Sequence, residues 1–287
     1  MTSTINRPAR RPKPTAHRWS AALAYAALSI AVIVVLTPFF WVFTGAFRST
    51  GEILADPGAW WPSNPTFDNF ATLLGAGNFV GYLGNSVVVS TAVVLGNVLF
   101  ASMVGYALAK LHFTGKRVVF GAILASMMIP FTATFVPQFV VVAKLGLIDT
   151  LAGIALPSIV LPLQIFIMRQ FAESIPDELF EAARIDGAGE WRLFTRIFLP
   201  LSGPAVATQA LLAFLSSWNG FLWPLIVAQT SEKYTLPVAL SAMSQGTETT
   251  NYGVLLAGAV LVLLPVLVLF LFLQRYFIQG IASVGLK

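Results

Sequence analysis

Hydrophobic positions in this chain do not alternate with polar ones; they run together in long stretches without charge. Six such runs occupy residues 19–47, 69–109, 118–143, 150–168, 197–231 and 249–274. Each matches or exceeds the roughly 20 residues that a helix needs to cross a hydrocarbon core. The period-two pattern of a membrane barrel is absent, and lipid offers no partner to unpaired backbone groups, so every run is predicted to be helical. The expected fold is an all-α polytopic membrane protein with six transmembrane helices. Their predicted extents are 19–46, 79–108, 118–142 and 151–169, with the last two inside 203–228 and 253–276. The first apolar stretch is too long for the 7–15-residue core of a signal peptide and lacks a small-residue cleavage site, so it is read as an uncleaved span. Residues 1–18, rich in Arg and Pro, are expected to be a disordered cytoplasmic tail.

Composition agrees with lipid as the solvent. Hydrophobic residues make up 57% of the chain, charged residues 10%, and mean hydropathy is +0.80. Soluble domains average about 45–50% apolar and about 25% charged. The net charge of +5 does not point to nucleic acid, because the basic residues are sorted by side. Fourteen of 17 fall before the first predicted helix, after the second, after the fourth or at the C-terminal end; only Arg48, Lys144 and Lys233 lie opposite. The positive-inside rule then places both termini in the cytoplasm. Residues 47–78 and 229–252 become external loops, and 170–200 becomes a cytoplasmic one.

Several chemistries are missing. The chain has no cysteine, which excludes thiolate metal sites and a thiol nucleophile. His17 and His112 have no ligand-type companions for a zinc site. Gly187-Ala188-Gly189 lacks the third glycine and preceding strand of a dinucleotide loop, and no phosphate-loop motif occurs. No Asp or Glu lies inside a predicted span, which disfavours an ion-coupled carrier. The intramembrane polar groups are neutral: Asn85, Asn97, Gln138, Gln164, Gln209 and Asn219. No catalytic residue, metal site or nucleotide site is expected, so any active transport needs an energy-supplying partner.

Two features inside the spans leave alternatives open. Ala101, Gly105 and Ala109 form a small-residue stripe suited to close helix packing or to a functional contact. Pro130 and Pro137 in the third span, and Pro157 and Pro162 in the fourth, mark either simple kinks or broken helices lining a pathway.

The outlier is residues 169–196, which hold ten of the 29 charged side chains. Ser174 is predicted to cap a helix of about 12 residues, roughly 18 Å long at 1.5 Å per residue, with Ile175, Leu179, Ala182 and Ala183 on one face. Gly187 fits the left-handed position that ends it. A second helix from about Glu190 carries Trp191, Phe194, Phe198 and Leu201 on one face, and Pro200 and Pro204 lead into the fifth span. Pattern alone allows a solvated amphipathic loop at the lipid surface.

The order Glu181-Ala182-Ala183, three residues, Gly187, nine residues, Ile197-x-Leu199-Pro200 resembles the EAA motif of ABC importer permeases at every consensus position. Asn85-Ser86, Gly105-Tyr106-Ala107, Trp218-Asn219, Tyr234 to Val238 and Gln274 to Phe277 extend the resemblance to the second permease subunit of carbohydrate importers. It implies the type I importer fold, with residues 19–287 as one permease domain. It also implies a second permease, two ATPase subunits that bind ATP and Mg, and an extracytoplasmic binding protein. In that family the EAA loop is a coupling helix docked on the ATPase, which assigns Glu181, Ala182, Ala183, Asp186, Gly187, Leu199 and Pro200 to coupling. Gln138, Gln164, Trp218 and Asn219 are candidates for the substrate pathway. Ser241, Ser244, Gln245, Gly246, Thr247 and Tyr252 are candidates for contact with the binding protein, and Gln279 to Lys287 for contact with the ATPases. The implied function is import of a sugar, oligosaccharide or sugar or glycerol phosphate across a bacterial or archaeal cell membrane. The motif does not name the cargo, so an importer of amino acids or peptides, or an ATP-independent facilitator or scaffold, remains an alternative.

Overall fold

A computed structural model describes residues 16–75, 78–244 and 250–284, and these are helical or connecting throughout. The chain begins with α1 (Ala16–Gly45), followed by two short helices, α2 (Thr50–Ala55) and α3 (Asp68–Gly75). A long helix combines α4 (Phe79–Gly96), a π-helical turn (Asn97–Ala101) and α5 (Ser102–Lys110). Next come α6 (Lys116–Met127), α7 (Phe131–Lys144), α8 (Leu151–Ala155) with a 3₁₀ turn (Leu156–Ser158), and α9 (Pro162–Ser174). The charged segment holds α10 (Asp177–Ile185) and α11 (Glu190–Leu193), continued by a second π-helical turn (Phe194–Phe198) into α12 (Leu199–Leu201). The chain then follows α13 (Gly203–Trp218), α14 (Leu222–Val227), α15 (Leu236–Ser244) and α16 (Tyr252–Val284).

Three helical stretches are long and apolar enough to cross a membrane unaided: Ala21–Gly45, Phe79–Lys110 and Tyr252–Gln274. Three bent pairs bring the number to as many as six when each is taken as one span: α6 with α7 at 105°, α8 with α9 at 43°, and the α11–α12 stretch with α13 at 81°. The third expected helix is therefore two helices. Of its two prolines only Pro130 breaks it, because the residue before a proline avoids the helical region; Pro137 lies inside α7. Likewise Pro157 sits in the 3₁₀ turn and Pro162 in the first turn of α9, where its missing N–H costs nothing. The fourth span runs on to Ser174, and the fifth breaks at Asn219–Phe221.

The segments 47–78 and 229–252, expected as loops, contain helices. Arg48, fully buried, donates to the carbonyls of Ala59, Glu52 and Asp56 at 3.1, 3.0 and 2.6 Å. Asn69 ties α3 back to Ala46 O and Arg48 O, both at 2.8 Å. Such internal partners let backbone fold where no hydrophobic period announces it. In the later segment Asn85 Nδ2 donates to Glu232 O and Tyr234 O, and Ser86 Oγ accepts from Leu236 N at 2.7 Å.

Asp149, at φ 58°, closes a second clasp by accepting from the backbone N–H groups of Gln229 and Thr230 at 2.9 and 3.0 Å. The Thr230 N–H, more than any other group, holds the Asp149 carboxyl below its ordinary range. A depressed carboxylate stabilises the fold above its unfolded pKa and loses that contribution as pH falls through the folded one. Asp149→Ala should lower the thermal midpoint in detergent and expose 229–234 to protease. Asp149→Asn, which keeps an acceptor and tolerates positive φ, should fall between Ala and wild type.

Helices α5 and α9 are seated backbone to backbone at Gly105, where a Cβ would lie 2.7 Å from Met168 Cβ and 2.9 Å from Arg169 N. That assigns the small-residue stripe to close packing. By contrast, α1 presents Ile33, Val34 and neighbouring apolar side chains outward at 64% exposure. In aqueous surroundings such a helix would not persist alone. Lipid or another chain must cover it.

Candidate functional site

Two regions carry the candidate residues: the charged segment at one end and a cavity among the helix breaks. In the charged segment, the predicted helix is shorter than expected. Ser174 ends α9, its hydroxyl donating to Phe171 O at 2.7 Å, and it caps nothing. Pro176 forces Ile175 into an extended conformation, φ −81° and ψ 129°, so α10 starts at Asp177. Its C-terminus is closed as the glycine predicts. Gly187 has φ +82°, Gly187 N donates to Arg184 O at 3.0 Å, and Ala188 N donates to Ala183 O at 2.9 Å. Those two bonds make a Schellman motif.

What holds α10 in place is not what its pattern suggested. Phe180 is its buried anchor, while Leu179 is 48% exposed. Phe180 joins Met168, Leu193, Phe194 and Phe198 in one cluster, with Ala183 and Ala188 packed against it. Tyr106 of α5 stands at the centre, its ring centroid 6.0, 5.6 and 5.2 Å from those of Phe180, Phe194 and Phe198. The Tyr106 hydroxyl donates to Glu190 Oε2 at 2.9 Å, and Glu190 Oε1 accepts from Arg184 Nε at 3.0 Å. One α5 turn later, Lys110 Nζ donates to Ile175 O at 2.6 Å and Asp177 Oδ1 at 2.5 Å. That ammonium holds the Asp177 carboxyl below the usual carboxylate range, chiefly through the hydrogen bond. Sequence reasoning named Tyr106 only within the Gly105-Tyr106-Ala107 resemblance, without a contact to α10, and missed Lys110 and Phe180. The spacing of Tyr106 and Lys110, four apart at a helix end, is the signal that could have paired them.

The outward surface of this segment is formed by Glu181, Ala182, Asp186 and Gly187 with Ile185, which is 87% exposed. Leu199 is half-buried and Pro200 exposed where α12 turns toward α13. An isoleucine this bare, beside Glu181 and Asp186 in a charged segment, is the arrangement of a contact surface.

The cavity, about 400 Å³, lies where three breaks meet. Phe131, Thr134 and Gln138 line it from α7, Pro157, Ser158 and Leu161 from the α8–α9 break, and Ser216, Ser217, Gly220 and Phe221 from the α13–α14 break, with Trp223 beside them. Gln138 Oε1 is buried without a hydrogen-bond partner. The break between α8 and α9 is stitched by Asn97 at the π-helical turn. Asn97 Nδ2 donates to Ser158 O at 2.7 Å, and its Oδ1 accepts from Leu161 N at 2.9 Å. Gln209 Nε2 donates to Asn97 O at 2.8 Å and Ser102 Oγ to Gln209 Oε1 at 3.1 Å. Asn97, Ser102 and Gln209 are each 0% exposed. π-Helical turns leave carbonyls for such partners and recur at functional sites.

Of the four pathway candidates the cavity gathers only Gln138. Gln164 is buried elsewhere, its Oε1 unpartnered. Trp218 is packed away, its ring stacked on Phe214 and its Nε1 donating to Val262 O at 3.0 Å. Asn219 faces a different groove, shared with Phe39, Val42 and Leu263. Among the binding-protein candidates, Ser241 and Ser244 lie half-buried near the end of α15 and Tyr252 starts α16. Gln245, Gly246 and Thr247 lie outside the described residues, as do the C-terminal side chains from Gln279 to Lys287.

The chain is 39% identical over 272 residues to the arabinooligosaccharides transport system permease protein AraQ of Halalkalibacterium halodurans, covering 94% of this chain and 96% of that one. It is 34% identical to the diacetylchitobiose uptake system permease protein NgcG of Streptomyces coelicolor, covering 96% and 91%. Among solved structures, it is similar to a chain of a bacterial ABC transporter involved in the import of the acidic polysaccharide alginate. The TM-score is 0.82 at 27% identity, over 93% of this chain and 99% of that one. Residues 97–283, which include α10, the cavity breaks and most of the Asn97 network, match the family described as binding-protein-dependent transport system inner membrane component, and the chain belongs to that family.

Proposed function

We propose that this chain is a transmembrane permease subunit of an ATP-driven ABC importer, paired with a second permease to form a pathway for a carbohydrate. An external binding protein delivers the cargo, and two separate ATPase subunits supply hydrolysis. The chain itself is a non-catalytic, multi-pass component of the cell membrane. The proposed topology has six spans, the bent pairs counted as one each, with both termini cytoplasmic. The sorting of basic residues supports it.

The observation that carries this reading is the outward face of α10. Phe180 and Ala183 fix the helix to the bundle, while Glu181, Ala182, Ile185, Asp186 and Gly187 are presented to whatever lies beyond. A cleft with an apolar floor and a basic rim fits that face: Ile185 and Ala182 fill the floor, and Glu181 pairs at the rim. The exposed face of α1 suits the second permease or lipid.

Carbohydrate is supported by the relatives' cargo and by the cavity. Its neutral hydroxyl and amide groups, with the rings of Phe131 and Phe221, offer sugars hydrogen bonds and flat apolar faces. Gln138 is the pathway residue this favours, and the aromatic platform is assigned to Phe131 and Phe221 instead of Trp218; Trp223 is packed into the core, its Nε1 donating to Gly153 O at 3.2 Å.

Co-expression with a second permease, an ATPase and a binding protein of a carbohydrate importer provides the test. The complex should retain the ATPase and take up sugar into vesicles only with ATP inside and binding protein outside. A Glu181→Arg, Ile185→Asp double variant should lose the ATPase on purification. Uptake without ATP would instead identify a facilitator, and a binding protein that ignores sugars but holds amino acids or peptides would overturn the carbohydrate assignment.

A further inference from the structure

We propose that Tyr106 and Lys110 of α5 are positioning residues that clamp α10 at both ends, so that its displacement is carried into the α4–α5 span through side chains as well as along the backbone. Lys110 and Tyr106 lie four residues apart and so share one face of α5. Lys110 grips the start of α10 at Ile175 O and Asp177, with its ammonium 5.0 Å from the Phe180 ring centroid. Tyr106 grips the end through Glu190, which in turn holds Arg184 in the last turn of α10. Between these grips lies the ring of Phe180, packed on Tyr106.

The consequence follows from burial. The Lys110 side chain is only 5% exposed, so sliding α10 off it would strand a buried ammonium, and breaking such a pair is far more costly than moving both partners together. Asp177 is 74% exposed and can be left to water. The strong partner is therefore the α5 side, and α5 must travel with α10. At its other end α5 runs without a break through the π-helical turn, which bears Asn97, into α4, which contributes Val89 to the cavity wall. The clamp thus joins the docking surface to the cavity by a route through the second span. Backbone continuity alone would route it through Ile175 and Pro176 into α9, and through α12 and the 81° bend into α13.

This inference rests on α10 being the ATPase-docking helix, and the experiment separates the two. In the reconstituted importer, Lys110→Met keeps the side chain's bulk without stranding a buried charge, and Tyr106→Phe keeps the ring without its hydroxyl. For the double variant, uptake per ATP hydrolysed should fall by at least about fivefold, the low end of typical site-to-site coupling, while the ATPase stays bound. Lys110→Arg, which retains the cation and its donors, should restore most of the ratio. An unchanged ratio in the double variant overturns the clamp. Failure of the wild-type chain to hold the ATPase at all overturns the docking assignment instead.

A second measurement covers the case of a variant that does not assemble. Because the chain has no cysteine, spin labels placed at Met103→Cys on α5 and Glu178→Cys on α10, in a complex whose other subunits are cysteine-free, report the α5–α10 separation directly. With and without ATP, the distance should change by no more than the roughly 1–2 Å of helix sliding at interfaces. A larger change shows α10 moving independently and overturns the proposal.

Discussion

Asn97→Leu is expected to be the most damaging single substitution in the membrane-embedded part, with little complex recovered and a sharply lowered thermal midpoint in detergent. Leucine matches the size of asparagine closely enough that the loss is polar and not steric. Ser158 O and Leu161 N, freed by the break between Pro157 and Pro162, lose the side chain that satisfies both. Each buried group left unpaired costs about 1–3 kcal/mol, so about 2–6 kcal/mol is at stake. Interhelical hydrogen bonds in membranes average only about 0.6 kcal/mol by double-mutant cycle. That smaller figure measures the pair's coupling, whereas Asn97→Leu strands groups whose own helix cannot take them back. Water in the adjoining cavity can reach some of them, which sets the expectation toward the lower half of the range. Asn97→Asp separates the contributions: it still accepts from Leu161 N but, ionised, repels Ser158 O. It should be no better than leucine at neutral pH and should improve when the carboxyl is protonated. Equal midpoints for Asn97→Leu and wild type would show that the stitch contributes nothing.

The parts of this molecule that were legible in sequence are those governed by solvent. Lipid demands long uncharged runs, and the six runs fall on the three long apolar helices and the three bent pairs. The Schellman turn was also legible, because Gly187 follows a short amphipathic pattern and only the αL region closes it. Legibility fails where long-range side-chain partners decide. Both Pro130 and Pro137 looked like breaks, yet Pro137 lies inside α7 and only Pro130 interrupts the helix. Asn97 and Gln209 were visible as neutral polar residues in apolar runs, but their partners lie 61 to 112 residues away. Trp218 and Asn219 are adjacent in sequence and look like one aromatic–amide pair; the end of α13 sends the first into the core and the second to an outer groove. Tyr106 and Lys110 belong to an apolar span and a basic loop by composition, and only the fold brings them to α10. The candidate docking surface was therefore readable as a motif, while the contacts that hold it were not.

Gly187→Val is expected to separate folding from transport. The fold should survive, since a Cβ at residue 187 meets nothing within 4 Å and the turn lies on the aqueous surface. Steric clash inside the chain is thereby removed from the two explanations that the motif glycine allows, and backbone strain remains. An L-residue in the left-handed region costs about 1–2 kcal/mol, and a β-branched one sits there least comfortably of all. A penalty of that size changes the population of the correctly closed turn by a factor of about 5–30. Uptake should fall accordingly, because an opened turn releases the Ala183 and Arg184 carbonyls and re-aims Ile185 and Glu181 together. The thermal midpoint of the membrane core should barely move. Gly187→Asn provides the control, since asparagine enters the left-handed region readily. If Asn restores uptake and Val does not, φ is the cause. If Asn fails as completely as Val while the ATPase remains bound, the cause is the space that residue 187 leaves for a partner's surface, and the turn's geometry is not what the motif protects. Normal uptake with Gly187→Val would remove the coupling role from this turn altogether.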